Sequence, residues 1–98
     1  MSPNAPPDDI ARLRARIDAL NGELLRLLER RGELTLAAAR LKRKHAVEFR
    51  DPDREAAMLA TIVAQSRGLY EPREIEQLFE MIFAAGRAYA IRALPSPG

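Results

Sequence analysis

The sequence predicts an all-α fold of three helices per chain: one long, one short and one of medium length. A second copy of the chain is needed to cover the long one. Three observations predict this. Prolines stand only at 3, 6, 7, 52, 72, 95 and 97, so 8–51, 53–71 and 73–94 are free of them, and each carries apolar residues at helical spacing. No stretch sustains the apolar–polar alternation of a half-buried strand, and β-branched residues never cluster. The first stretch also carries a heptad seam held over about four heptads.

The first helix is predicted to start at Asp8 or Asp9, either of which could cap it after Pro6-Pro7. Its seam is Leu13, Ile17, Leu20, Leu24, Leu27, Arg31, Leu34, Ala38 and Leu41, at alternating spacings of four and three. Carried to residue 46, the helix would be ~57 Å long at ~1.5 Å per residue. A compact domain of this size has a radius of gyration of about 13 Å. Two shorter helices cannot cover such a seam, and an isologous two-fold dimer is the simplest closed solution.

The loop 47–51 leads to the second helix, where Asp51 stands at the N-cap and Pro52 at the first helical position. Its apolar stripe is Met58, Leu59, Ile62 and Val63. The break Arg67-Gly68-Leu69-Tyr70-Glu71 follows, with Gly68 able to end the helix. Pro72 opens the third helix, whose stripe is Ile75, Leu78, Phe79, Ile82, Phe83, Gly86, Tyr89 and Ala90.

Composition narrows the chemistry. The 98 residues suit one domain, 1–98, with flexible tails at 1–7 and 94–98. The absence of cysteine excludes disulfides, thiol nucleophiles and thiolate metal sites, and a lone histidine, His45, argues against an imidazole site. No cofactor or metal is expected. No apolar run approaches the ~18 residues of a membrane span, and the N-terminus does not read as a signal peptide. A cytoplasmic protein is the expectation. The net charge of +2 is uneven: residues 1–47 carry ten Lys/Arg against six Asp/Glu, and residues 48–98 six against eight. A basic first half points to anionic partners.

The informative residues break the apolar pattern. Arg31 occupies a seam position, and a buried guanidinium needs an anion. Lys42 lies eleven residues on, ~20° around the helix, so both cations can face one cavity. Glu55 falls on the stripe of helix two, with Asp51 one turn earlier and Arg54 beside it. Blander readings exist for each. A seam Arg can set register against a Glu across a dimer, and Asp51 can be a cap alone. Arg30, Arg40, Arg43 and Lys44 read as a solvated face, and His45 as a surface residue.

These residues carry a resemblance to the all-helical chorismate mutase family over nearly the whole chain. Leu13-Arg14-Ala15-Arg16-Ile17-Asp18 and Leu24-Leu25-Arg26-Leu27-Leu28-Glu29-Arg30-Arg31 look like its first helix, and Arg50-Asp51-Pro52-Asp53-Arg54-Glu55 like the start of its second. The resemblance implies an intertwined homodimer with two sites. Each would take Arg31, Lys42, Asp51, Arg54 and Glu55 from one chain and Arg14 from the other. Arg14 is seventeen residues from Arg31, ~25 Å along an ideal helix, so an antiparallel partner would have to bring it to the pocket. Helix three departs from the family pattern. Ala90 replaces the usual Gln or Glu, and Gly86 replaces a Ser; both positions are carried over as substrate-binding. Arg87 and Tyr89 are the polar neighbours that could compensate for Ala90. The run Ile82-Phe83-Ala84-Ala85-Gly86 looks closest to mutase domains associated with 3-deoxy-heptulosonate phosphate synthase.

What the resemblance implies is the Claisen rearrangement of chorismate to prephenate, in phenylalanine and tyrosine biosynthesis. The reaction moves no proton and needs no nucleophile. The protein must hold a compact dianion and stabilise charge on the breaking ether oxygen. Arg31, Lys42 and Glu55 would be catalytic, while Arg14, Asp51 and Arg54 would bind substrate. Ala90 would make the enzyme weak to moderate, and Ala90→Gln would raise its turnover. The alternative is a regulatory domain that senses chorismate or prephenate and partners with that synthase. A pyruvate lyase acting on isochorismate shares the fold. A nucleic-acid-binding helical dimer fits less well, because acids interleave with the bases and the chain has only three Phe and two Tyr to stack on nucleobases.

Overall fold

Proline punctuation sets the element boundaries. The computed structural model describes residues 7–95, with helices α1 Pro7–Lys44, α2 Pro52–Gln65 and α3 Pro72–Ala93 and no strand among those residues. The expected tails therefore fall largely outside the described residues. All three helices begin at a proline, where the missing N–H costs no hydrogen bond. For α1 this moves the start back to Pro7. Asp8 and Asp9 then lie within the first turn, where their charge favours the helix N-terminus.

The chain divides into two units, one ending at Arg30 and the other starting at Arg31. In the first unit, the seam residues Leu13, Ile17, Leu20, Leu24 and Leu27 are each 55–57% exposed. In the second, the seam residues Leu34 and Leu41 are exposed as well. There α1 buries a different stripe, Leu36 and Ala39, which forms a core cluster with Ala90 of α3. Phe49, Tyr89, Ala93 and Leu94 pack around that cluster.

Helix α1 ends in a tight reversal. Val47 N–H donates to the Lys42 carbonyl at 2.7 Å and Ala46 N–H to the Arg43 carbonyl at 3.3 Å, with Ala46 at φ 54°. This is the Schellman arrangement, here with alanine in the left-handed position that glycine usually takes. It turns the chain at Ala46, one helical turn after Lys42, and aims 47–51 back toward the helix. Asp51 caps α2: its Oδ1 accepts the Arg54 N–H at 3.0 Å.

Helix α2 half-buries its expected stripe of Met58, Leu59, Ile62 and Val63, and packs on α3. Its end differs from the sequence expectation. It stops at Gln65, and the Ser66 N–H closes on the Val63 carbonyl at 3.1 Å. Gly68, at φ 83°, turns the loop two residues beyond that cap instead of ending the helix. At α3, the Glu71 N–H donates to Glu74 Oε1 at 2.9 Å. Ile75, Phe83, Gly86 and Ala90 form its buried stripe. Leu78, expected on that stripe, is exposed, and shares an open face with Tyr70 and Met81.

Candidate active site

An open hollow of about 370 Å³ lies within the second unit, lined by α1, the 47–51 loop, α2 and α3. It is in the size range of small-molecule sites. The Schellman turn and the Asp51 cap place the loop and the first turn of α2 against the end of α1. The hollow therefore gathers Arg31 and Lys42 from α1 with Asp51, Arg54 and Glu55 from the start of α2. These are five of the eight residues singled out in the sequence.

Arg31 is held by two apolar partners. Its Cζ lies 4.9 Å from the centroid of Phe83, and its Nη2 is 3.8 Å from Met58 Sδ. The guanidinium stacks on an aromatic face, which fixes it without neutralising it. The Lys42 Nζ donates to the Phe49 carbonyl at 3.2 Å. Among the described residues, none of Arg31, Lys42 and Arg54 forms an ion pair with a carboxylate. Three cations around one hollow, none of them in an ion pair among the described residues, make a receptor for an anion.

Glu55 is different. It pairs with Arg87 of α3, whose Nη1 donates to Glu55 Oε2, and more loosely with Arg50, at 4.0 Å from Oε1. Arg54, expected to bind substrate, stands next to Glu55 on the same helix. Residues adjacent on a helix project about 100° apart, so the orienting partner comes from the neighbouring helix instead. Arg87 is the charged residue of the lining that lies outside the expected site. Its signal is in the sequence: it stands four residues after Phe83 and three before Ala90, where the stripe is otherwise apolar.

The remaining expected residues are placed as follows. Gly86 is buried at the close approach of α1 and α3: a Cβ there would lie 3.7 Å from Arg31 Nη1 and 3.6 Å from Thr35 Oγ1. Ala90 is 0% exposed, in the core cluster with Leu36 and Ala39, and does not line the hollow. Arg14 is exposed and belongs to the first unit. Arg40, Arg43, Lys44 and His45 are exposed, as expected, and Arg43 donates to the Pro95 carbonyl. Among the described residues no cluster of His, Asp and Glu is placed to hold a metal ion, and no helix is long and apolar enough to cross a membrane.

Known proteins share this fold. The structure is similar to a chorismate mutase from Thermus thermophilus, with a TM-score of 0.85 and 36% identity over 89% of this chain and 99% of that one. It is also similar to a chorismate mutase from Helicobacter pylori solved with prephenate, with a TM-score of 0.79 and 26% identity over 90% and 99% of the two chains. A bifunctional chorismate mutase/prephenate dehydratase from Pseudomonas aeruginosa is 33% identical over 86 residues. That match takes in 83% of this chain but only 24% of the larger protein. These relatives give the synthase association no support. With residues 13–91 matching the family as well, the chain belongs to the chorismate mutase type II family.

Proposed function

We propose that this chain is a chorismate mutase, an isomerase that converts chorismate into prephenate for phenylalanine and tyrosine synthesis in the cytoplasm. The observation that carries the reading is the set Arg31, Lys42 and Arg54, three cations around one hollow without a carboxylate partner among the described residues. Chorismate is a dicarboxylate, and rearranging it requires confinement of a compact conformer and stabilisation of the ether oxygen. Arg31 would clamp one carboxylate, pre-set by its stack on Phe83. Lys42 would reach a carboxylate and the ether oxygen. Glu55 would accept the ring hydroxyl, and Asp51 would position that end of the pocket. Arg54 would serve the enolpyruvyl side.

The second carboxylate calls for another guanidinium. We assign it to Arg14 of the partner subunit, within an intertwined homodimer. The seam supports a second copy: five of its apolar side chains in the first unit are more than half exposed. Ala90 is packed in the core outside the hollow and gives the ether oxygen no donor. Losing one such donor typically costs about 2.7–4 kcal/mol of transition-state stabilisation, so we assign moderate turnover.

The test is incubation with chorismate and identification of the product. Prephenate as the sole product supports the reading. Binding of chorismate without turnover would make the chain a sensor, and release of pyruvate from isochorismate would make it a lyase.

A further inference from the structure

We infer that Arg87 is a positioning residue of this site, holding the Glu55 carboxylate in the orientation that receives the ligand's hydroxyl. The inference rests on the proposed function and extends it to a residue that reading does not use. Arg87 sits on the inward stripe of α3, between buried Phe83 and buried Ala90. A guanidinium there is costly unless it meets a counter-charge. Glu55 supplies it from α2, and the two side chains are only 23% and 21% exposed. Arg50 also approaches Glu55, but at 4.0 Å and with its own side chain 60% exposed. A pair of that kind contributes little. Arg87 is thus the group that holds Glu55 from the neighbouring helix, through Nη1 on Oε2, and a rigid planar guanidinium has few ways to turn.

Among the described residues the lining holds four cations, Arg31, Lys42, Arg54 and Arg87, and of these Arg87 is the one in an ion pair with a carboxylate. From α3 the remaining lining residue is Phe83, which is apolar, so Arg87 is that helix's polar contribution to the hollow.

The experiment is a double-mutant cycle on the full chain, with Arg87→Met and Glu55→Ala read as kcat and KM for chorismate. Arg87→Met is expected to lower kcat/KM about tenfold when Glu55 is present, mostly through kcat, and less than about twofold when residue 55 is alanine. Arg87→Lys should recover part of the loss, because charge returns without the fork. An equal loss in both backgrounds, or no loss in either, would overturn the inference. The first of these, if carried by KM, would mean that Arg87 touches the ligand directly. Circular dichroism and Tm of each variant separate misfolding from misplacement. Should Arg87→Met fail to fold, the Arg87→Lys pair completes the cycle with the same expectations at smaller amplitude. If the unmodified chain binds chorismate without turning it over, the proposed function fails on its own. The cycle is then read from calorimetric binding of chorismate, where additivity, or no binding at all, overturns the role of Arg87.

Discussion

Single residues decide how α1 hands over to the site. Ala46 is held at φ 54° by the reversal that follows Lys42. A side chain in the left-handed region costs roughly 1–2 kcal/mol that glycine avoids, less glycine's larger loss of freedom on folding. Ala46→Gly is therefore expected to raise Tm by a few degrees with kcat unchanged, as calorimetry and the chorismate assay would show. Gly86 is the opposite case. It lies inside a helix, and an added Cβ would meet only ordinary contacts at 3.6–3.7 Å. Gly86→Ala should stabilise by about 0.5–1 kcal/mol, from helix propensity, and leave Arg31 in place. Loss of activity in that variant would show that the approach of Arg31 to α3 is tighter than these distances. Asp51 has two roles that substitution can separate. Asp51→Asn keeps the cap on α2, whereas Asp51→Ala removes it at a cost of about 1 kcal/mol. Equal Tm for Asn and wild type with lower kcat/KM would assign the charge to the ligand. Equal activity would leave Asp51 as a cap only.

At the scale of elements, helix α1 carries two stripes, and that limits what its sequence reveals. The seam Leu13 to Leu41 is regular enough to dominate any reading, and the structure leaves its leucines exposed. The stripe that builds the core of the second unit, Leu36 and Ala39, is short and sits between seam positions. Periodicity alone could not assign it, because which face is buried depends on where α3 packs. By contrast, the Asp51-Pro52 start of α2 was legible because capping is a local property. The pairing of Arg31 with Lys42 was legible because eleven residues return a helix to nearly the same face. The sequence places Arg87 only beside Ala90, because its pairing with Glu55 depends on a residue of another helix. Ala90 is the clearest consequence. From sequence, a glutamine there looked like a way to raise turnover. In the structure its side chain is 0% exposed against Leu36 and Ala39. Adding a methylene and a primary amide to a packed site costs typically about 1–3 kcal/mol, roughly 4–8 °C in Tm for each kcal/mol in a domain of this size. Ala90→Gln is accordingly expected to melt earlier and to gain no turnover. An unchanged Tm with faster turnover would show that the core opens there toward the ligand.

The proposed molecule is a dimer of two such chains. Among the described residues, five apolar residues are well buried, and the seam of α1 remains open. A chain of this size gains much from a second copy that closes such a face. Leu20→Glu together with Leu24→Glu should convert the proposed dimer to monomer in sedimentation equilibrium and abolish turnover at the same time. A monomeric wild type with full activity would remove the shared site from the account. The most direct test of the central claim is the loss of chorismate ultraviolet absorbance with purified wild-type protein and with Arg31→Ala. Saturable conversion to prephenate, lost at least a hundredfold in kcat/KM in the variant, a drop of about 2.7 kcal/mol, is the result predicted. Turnover unchanged by Arg31→Ala would contradict it, because the catalytic anion receptor would then lie somewhere other than the hollow between α1, α2 and α3.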